Sequence, residues 1–263
     1  HLIPTEFENA AIQARKDYNE WKTQAIEIFR NTFDIRPENL HLKSRIKRGE
    51  GEQYEKLAEG AAVVVHEGGL KFHIYPDNWL DTGLFLDHRN LRARVREMAK
   101  EKKVLNLFSY TGSFSVYAAA GGAALVHSVD LSAKYLGIVE ENLKLNSLVS
   151  VPHEQFRLDA REFLADAKPD FYDIIVCDPP VFSKSRKQER DFDVLRDHPQ
   201  LVRDCLKALR PDGVLFFSTN YRKFSIRFPE AGEQATVKNI SAQTIPEDFR
   251  NKWIHSCYEI NLF

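Results

Sequence analysis

The stretch Asp173-Ile174-Ile175-Val176-Cys177-Asp178-Pro179-Pro180-Val181-Phe182-Ser183-Lys184-Ser185-Arg186-Lys187-Gln188-Glu189-Arg190 changes character in its middle. Ile174 to Cys177 form a continuous apolar run, the pattern of a strand covered on both faces. The run ends on a carboxylate, Asp178. Two prolines then fix the backbone and bias Asp178 toward an extended conformation. A string of cations follows. A carboxylate held rigidly at a strand end, with a basic segment leaving it, is the arrangement of a ligand edge rather than of a plain turn.

Outward from this strand the chain alternates strand, turn and helix. Strands are expected at Val104 to Phe108, Ala124 to Val129, Gln155 to Leu158, Ile174 to Cys177 and Val214 to Ser218. Helices are expected around Ser115 to Ala120, Ala133 to Leu145 and Asp197 to Leu209. Such alternation implies a parallel sheet with helices on both faces, with ligands at the carboxyl ends of the strands. Ala235 to Ala242 and Trp253 to Leu262 supply a closing antiparallel hairpin. The expected fold is α/β, a Rossmann-like domain with a seven-stranded, mostly parallel sheet over residues 81–263. Residues 1–80 read as a small α+β subdomain: one or two amphipathic helices from Phe7 to Phe33, a strand at Leu40 to Lys43, and a hairpin through Glu67-Gly68-Gly69-Leu70.

The residues after each strand carry the chemistry. Phe108-Ser109-Tyr110-Thr111-Gly112-Ser113 holds one glycine and lacks the Gly-x-Gly-x-x-Gly pyrophosphate fingerprint, which disfavours a dinucleotide. Asp130, with Leu131 and Ser132, ends the second strand where an acid accepts ribose hydroxyls; as a helix cap it competes with Ser132. Asp159, before Ala160, suits an adenine amine or a helix cap equally. With Asp178-Pro179-Pro180, this ordered set describes a class I S-adenosylmethionine-dependent methyltransferase, with S-adenosylhomocysteine as product.

Composition narrows the rest. The chain has 263 residues, 43% hydrophobic and 29% charged, with net charge −1. Nucleic acid is therefore not announced by the overall charge, only by local basic runs at Lys43 to Arg48, Arg89 to Lys103, Lys184 to Arg190 and Tyr221 to Lys223. No apolar run approaches a membrane span, and the first residues lack a signal-peptide pattern. Three scattered cysteines, Cys177, Cys205 and Cys257, give neither a disulfide framework nor a metal site, and fit a cytoplasmic location.

At Leu80 to Arg89, Leu105 to Ser113, Asp178 to Ser183 and Phe192 to His198 the sequence closely resembles the RlmK family. These are guanine-N7 methyltransferases of 23S ribosomal RNA, found as the C-terminal half of RlmKL fusion enzymes. Lys43 to Leu57, Phe217 to Lys223 and Ile254 to Cys257 extend the similarity over essentially the whole chain; the RlmI-like cytosine-C5 enzymes are more distantly similar. The resemblance implies that Phe85, Asp87 and Arg89 lie near the methionine end of the cofactor. It places Phe108, Ser109, Tyr110, Thr111 and Gly112 along the cofactor's back, Asp130, Leu131 and Ser132 at its ribose, Asp159 and Ala160 at its adenine, and Asn146 nearby. Asp178, Pro179 and Phe182 would face the methyl group and target base. Lys43, Arg45, Lys47, Lys184, Arg186, Lys187, Arg222 and Lys223 would follow the RNA backbone. The implied partner is 23S rRNA or a large-subunit assembly intermediate, with a guanine-N2 methyltransferase domain as a fused or separate companion. No metal is expected.

The target atom is read from what is missing. Cytosine-C5 enzymes attach a cysteine to the ring, yet Val181-Phe182 and Ser218-Thr219-Asn220 stand where that thiol belongs. Guanine N7 offers a lone pair and needs no covalent step. Guanine N2, cytosine C5 and a non-catalytic RNA-binding factor on the same fold are the alternatives. Phe182 or Tyr221 would stack on an unstacked base. His88 and His198 are read as structural hydrogen-bonding residues, since N7 attack needs no general base.

Overall fold

The computed structural model describes residues 2–7, 14, 16–45, 61–77, 81–183, 191–228 and 235–263. The chain divides into two compact units, residues 1–63 with 74–83, and residues 64–73 with 84–263. Residues 64–73, the tip of the hairpin expected within residues 1–80, group with the larger unit. The reason lies in side chains. Asn142 accepts from the backbone N–H of His73 (2.9 Å), and Asn146 both accepts from the Lys71 N–H (2.8 Å) and donates to the Lys71 carbonyl (2.7 Å).

In the smaller unit, β1 (Thr5–Phe7) pairs in parallel with β2 (Lys43–Arg45), and α1 spans Tyr18–Phe33. The apolar stripe expected from Phe7 to Phe33 is only partly covered: Trp21, Ile28 and Phe33 on α1 are exposed.

The hairpin β3 (Val63–Glu67) and β4 (Leu70–Ile74), of which residues 64–73 belong to the larger unit, is followed in that unit by a 3-10 turn at Leu86–His88 and by α2 (Arg89–Met98). The cationic run beginning at Arg89 is therefore largely a helix, one that buries Leu91, Arg92 and Val95. Then come β5 (Lys103–Leu107), α3 (Ser113–Ala120), β6 (Leu125–Val129), α4 (Ala133–Leu145), β7 (His153–Phe156), α5 (Ala160–Ala165) and β8 (Tyr172–Cys177). A short ladder, β9 (Phe182–Ser183) with β10 (Phe192–Asp193), precedes α6 (Val194–Ala208), β11 (Leu209–Thr219), β12 (Ala235–Asn239), α7 (Ser241–Thr244) and β13 (Ser256–Leu262).

The main sheet has seven strands in the order β12-β13-β11-β8-β5-β6-β7. β13 alone runs antiparallel, between β11 and β12, which is the expected closing hairpin. β11 begins earlier than expected, because Arg210 to Gly213 are absorbed as an irregularity between the pairs Leu209–Tyr172 and Val214–Ile174. Val104, Leu105, Leu107, Ile175, Val176, Leu215 and Phe216 are at most 1% exposed. Burial of both sheet faces explains why these strands read as continuous apolar runs. Chain order reverses at β5, whose neighbours are β6 and β8, so the topological switch point lies at its carboxyl end.

Candidate active site

The loop leaving β5 is wound tightly. Phe108, Tyr110 and Gly112 all have positive φ (56°, 49° and 75°). Left-handed backbone at two bulky residues costs on the order of 1–3 kcal/mol each and persists only when the surroundings over-determine it. Here they do. The Ser109 N–H donates to the Val129 carbonyl (2.9 Å), and the Tyr110 N–H donates to Asp130 Oδ2 (2.9 Å). At Gly112 a Cβ would lie 2.6 Å from Val139, so glycine is required there for space as well as φ. Ser109 Oγ is buried and has no protein partner, leaving a polar atom for a ligand to satisfy.

Asp130 follows β6. Its other oxygen accepts from the Ser132 N–H (2.9 Å), while Ser132 caps α4 by accepting from the Tyr135 N–H (3.3 Å). Ser132 thus fills the cap and leaves Asp130 for another task. Burial pushes the Asp130 carboxyl up from its usual value, against the two backbone hydrogen bonds that pull it down. Leu131 beside it is exposed, and Tyr110 packs edge-on to Tyr135 with centroids 4.6 Å apart.

Asp159 is a different case. Its carboxylate caps α5 through the Arg161 N–H (2.8 Å) and is gripped by the Arg161 guanidinium (both 3.0 Å), while Glu162 completes a capping box. The cap reading is the one realised for this side chain. Ala160, the first residue of α5, is buried behind it.

Asp178 sits where β8 ends, with Pro179 buried behind it. Ser218 Oγ, from the neighbouring β11, donates to Asp178 Oδ1 at 2.6 Å. His88 Nε2, from the turn before α2, lies 3.5 Å from Asp178 Oδ2. The carboxylate remains a quarter exposed at 25%. Phe182 is 51% exposed on β9, whose ladder with β10 is anchored by the Asp193 cap on α6. All three cysteines are fully buried, and burial pushes the thiols of Cys177 and Cys257 well above their ordinary value. Neither is a nucleophile in this setting.

Behind Asp178 lies a buried cluster that the sequence did not reveal. His255 Nδ1 lies 2.8 Å from Asp87 Oδ2, and its ring stacks on His88 at 4.4 Å and 8°. Burial works to raise the Asp87 carboxyl, but the His255 hydrogen bond and the fields of His88 and His255 hold it below the usual range. Burial also lowers His88, more strongly than Asp178 and Asp87 raise it. Asp87, His88 and His255 have metal-ligand types within 4.8 Å of one another. Both nitrogens of His255 are taken up by hydrogen-bonding partners, Nδ1 by Asp87 (2.8 Å) and Nε2 by Thr244 Oγ1 (2.9 Å).

Several expected ligand residues make contacts within the protein. Arg89 is paired with Asp248. Asn146 holds the hairpin as described, and its amide is taken up by backbone groups of Lys71 and Asn142. Phe85 is 39% exposed and packs on Tyr110 at 5.4 Å, as a wall of the same edge. Its carbonyl accepts from Arg92 (2.8 Å), itself fully buried against Glu67, a support the sequence reading missed. Thr111 is buried and its carbonyl accepts from Asn142 (3.0 Å). Among the expected RNA contacts, Lys43 is only 7% exposed. Arg222 and Lys223 are exposed past the end of β11. Lys47, Lys184, Arg186, Lys187 and the Arg45 side chain lie outside the described residues. His198 is structural as expected: Nδ1 faces the Val194 carbonyl (2.7 Å), and Nε2 accepts from the Arg227 N–H (3.0 Å).

Comparison with known proteins places this geometry. The profile of S-adenosylmethionine-dependent methyltransferases matches residues 43–238. The chain is 43% identical over 258 residues to ribosomal RNA large subunit methyltransferase K of Neisseria meningitidis, covering 97% of this chain and 73% of that one. It is 42% identical over 247 residues to the K/L protein of Alcanivorax borkumensis, covering 93% of this chain but 34% of that one. The chain thus spans about a third of the K/L relatives. Its fold is also that of SMU.776 complexed with SAH (TM-score 0.71, 24% identity, 92% of this chain and 66% of that one). A SAM-dependent methyltransferase from Agrobacterium tumefaciens gives a TM-score of 0.63 at 22% identity, over 82% and 76% of the two chains.

The residues present fit such a cofactor. Ser109 offers an unpartnered buried hydroxyl, Asp130 an acid at the second strand end, and Phe85 with Tyr110 an aromatic wall. No helix among the described residues is long and apolar enough to cross a membrane. The chain belongs to the S-adenosylmethionine-dependent methyltransferase family, in its ribosomal RNA large subunit methyltransferase K branch, and its cofactor is S-adenosylmethionine.

Proposed function

We propose that this chain methylates N7 of a guanine in large-subunit (23S) ribosomal RNA. The observation that carries the reading is Asp178, held at the sheet edge by Ser218 with every cysteine buried. When bound, the cofactor supplies an activated methyl on a sulfonium, so alignment at near-attack distance is the protein's main task. Asp130 holds the ribose and Ser109 closes on the cofactor's back. Phe182 and Tyr221 receive the unstacked base.

Asp178 accepts from the guanine N1–H and N2 amine, a bidentate contact that orients the ring. Attack by N7 leaves a positive charge on the purine and makes N1–H a stronger donor. The contact is therefore stronger in the transition state than in the ground state, which is what accelerates the step. No proton has to leave. Arg222 and Lys223 carry the RNA backbone past the opening, joined by the Lys184 to Arg190 run. The small N-terminal unit adds RNA contacts, and cytoplasmic work on rRNA or an assembly particle follows from the substrate. A companion guanine-N2 domain accords with the greater length of the K/L relatives.

Guanine N2 is the second reading, because the same carboxylate faces that amine. Incubation with labelled cofactor and unmodified rRNA, followed by nucleoside analysis, separates them. Label in 7-methylguanosine is expected. Label in N2-methylguanosine or 5-methylcytidine would replace the proposal.

A further inference from the structure

A carboxylate that orients a base must itself be kept from turning, and Asp178 is approached from two elements, by a hydrogen bond on one side and by a longer 3.5 Å charge contact on the other. Ser218 on β11 takes Oδ1, and His88 Nε2 faces Oδ2. Nε2 of His88 also looks toward Asp87 Oδ2 at 3.8 Å. An unprotonated nitrogen there would set its lone pair against two anionic groups, so Nε2 carries the proton and Nδ1, buried and without a partner, does not. The ring cannot swing: it stacks on His255 and meets Phe114 edge-on at 5.9 Å. His255 is locked in turn between Asp87 (2.8 Å) and Thr244 Oγ1 (2.9 Å) on α7.

We propose that His88 is a positioning residue for methyl transfer, its Nε2–H fixing the Asp178 carboxylate toward the acceptor base, with Asp87 and His255 holding that ring. The inference rests on the reading of Asp178 as the acceptor-orienting group. It assigns the Asp87–His88–His255 cluster to the acceptor side of the site rather than to the methionine end of the cofactor. Transfer to N7 releases no proton, so the cluster acts by geometry and the His88 proton stays on Nε2 throughout.

The test pairs His88→Leu, which fills the space without a donor, with His88→Gln, whose amide N–H reaches toward the Nε2 position. Methyl transfer to rRNA, rRNA KM, cofactor Kd by calorimetry and melting temperature are measured for each. His88→Leu is expected to lower kcat by about tenfold or more with Kd and KM nearly unchanged, because small misplacements of a reacting group are costly. His88→Gln is expected to restore most of that rate. Equal losses in both variants, or a loss carried by cofactor Kd, overturn the proposal.

A second measurement does not depend on the substrate. Imidazole nitrogen NMR of the wild type is expected to show His88 as the Nε2–H tautomer, with its signal moving on Asp178→Asn while that of His198 stays. An Nδ1–H tautomer, or no movement, contradicts the proposal. Failure of the wild type to methylate rRNA would count against the substrate reading alone, and the NMR result would still decide this one.

Discussion

The backbone N–H of Tyr110 donates to Asp130 Oδ2 at 2.9 Å, tying the loop after β5 to the end of β6. One carboxylate thus shapes the loop after β5 and stands at the end of β6, where the proposed function puts the cofactor ribose. Asp130→Ala is expected to raise the cofactor Kd by about tenfold or more, a cost of roughly 1.4 kcal/mol or above. Titration calorimetry reads this directly. Unchanged affinity would remove Asp130 from the cofactor site.

Arg92, fully buried, pairs with Glu67 at 2.7 Å and also donates to the Phe85 carbonyl. Tyr117 donates to the same Glu67 (3.0 Å), and burial with the neighbouring carboxylate pushes the phenol up to about 12. Removing one partner leaves a buried charge uncompensated, at a cost of about 3–5 kcal/mol. Glu67→Leu should therefore lower stability by that order in denaturant titration. Glu67→Leu combined with Arg92→Met should recover much of the loss.

The buried histidines make stability fall in acid. Burial lowers His88, His127 and His198, and takes His153 down to about 4. Each binds a proton more readily in the unfolded chain, so its contribution is fully present above the ordinary histidine value of about 6.5 and is lost as pH falls below it. For His153 the loss approaches at most roughly 3 kcal/mol, reached as pH drops through the folded value. Melting temperature should decline steadily from about pH 6.5 toward pH 4. A flat profile over that range would contradict these assignments.

Cys177 lies inside β8, one residue before Asp178, and is fully buried. Replacing all three cysteines by Ala should cost stability through lost packing, roughly 1 kcal/mol or more per site. Methyl transfer below the melting temperature should survive. Loss of transfer with the fold intact by circular dichroism would bring back a covalent thiol mechanism.

The sheet was legible because burial on both faces writes itself as apolar runs, and because Asp130 and Asp178 each stand just beyond one. The cap of α4 was legible in the same way, from Ser132. Other features depend on contacts that no local pattern encodes. His255 and Asp87 are 168 positions apart, and nothing in Leu86-Asp87-His88-Arg89 says which side chain it will meet. Ser218 lies near the end of an ordinary apolar strand, so only the β8–β11 pairing reveals its hold on Asp178. Asn146 looks like a free polar residue after a helix until the Lys71 backbone arrives beside it. Lys43 carries a surface residue's charge but is buried. A short strand signal cannot tell a covered face from an open one.

The central claim is that Asp178 handles the acceptor base and not the cofactor. Asp178→Ala tests it when cofactor Kd and labelled methyl transfer to rRNA are measured on one preparation. The account predicts that transfer falls by about a hundredfold or more while Kd stays within about twofold. A comparable loss of cofactor affinity, or transfer that persists near the wild-type rate, would contradict it.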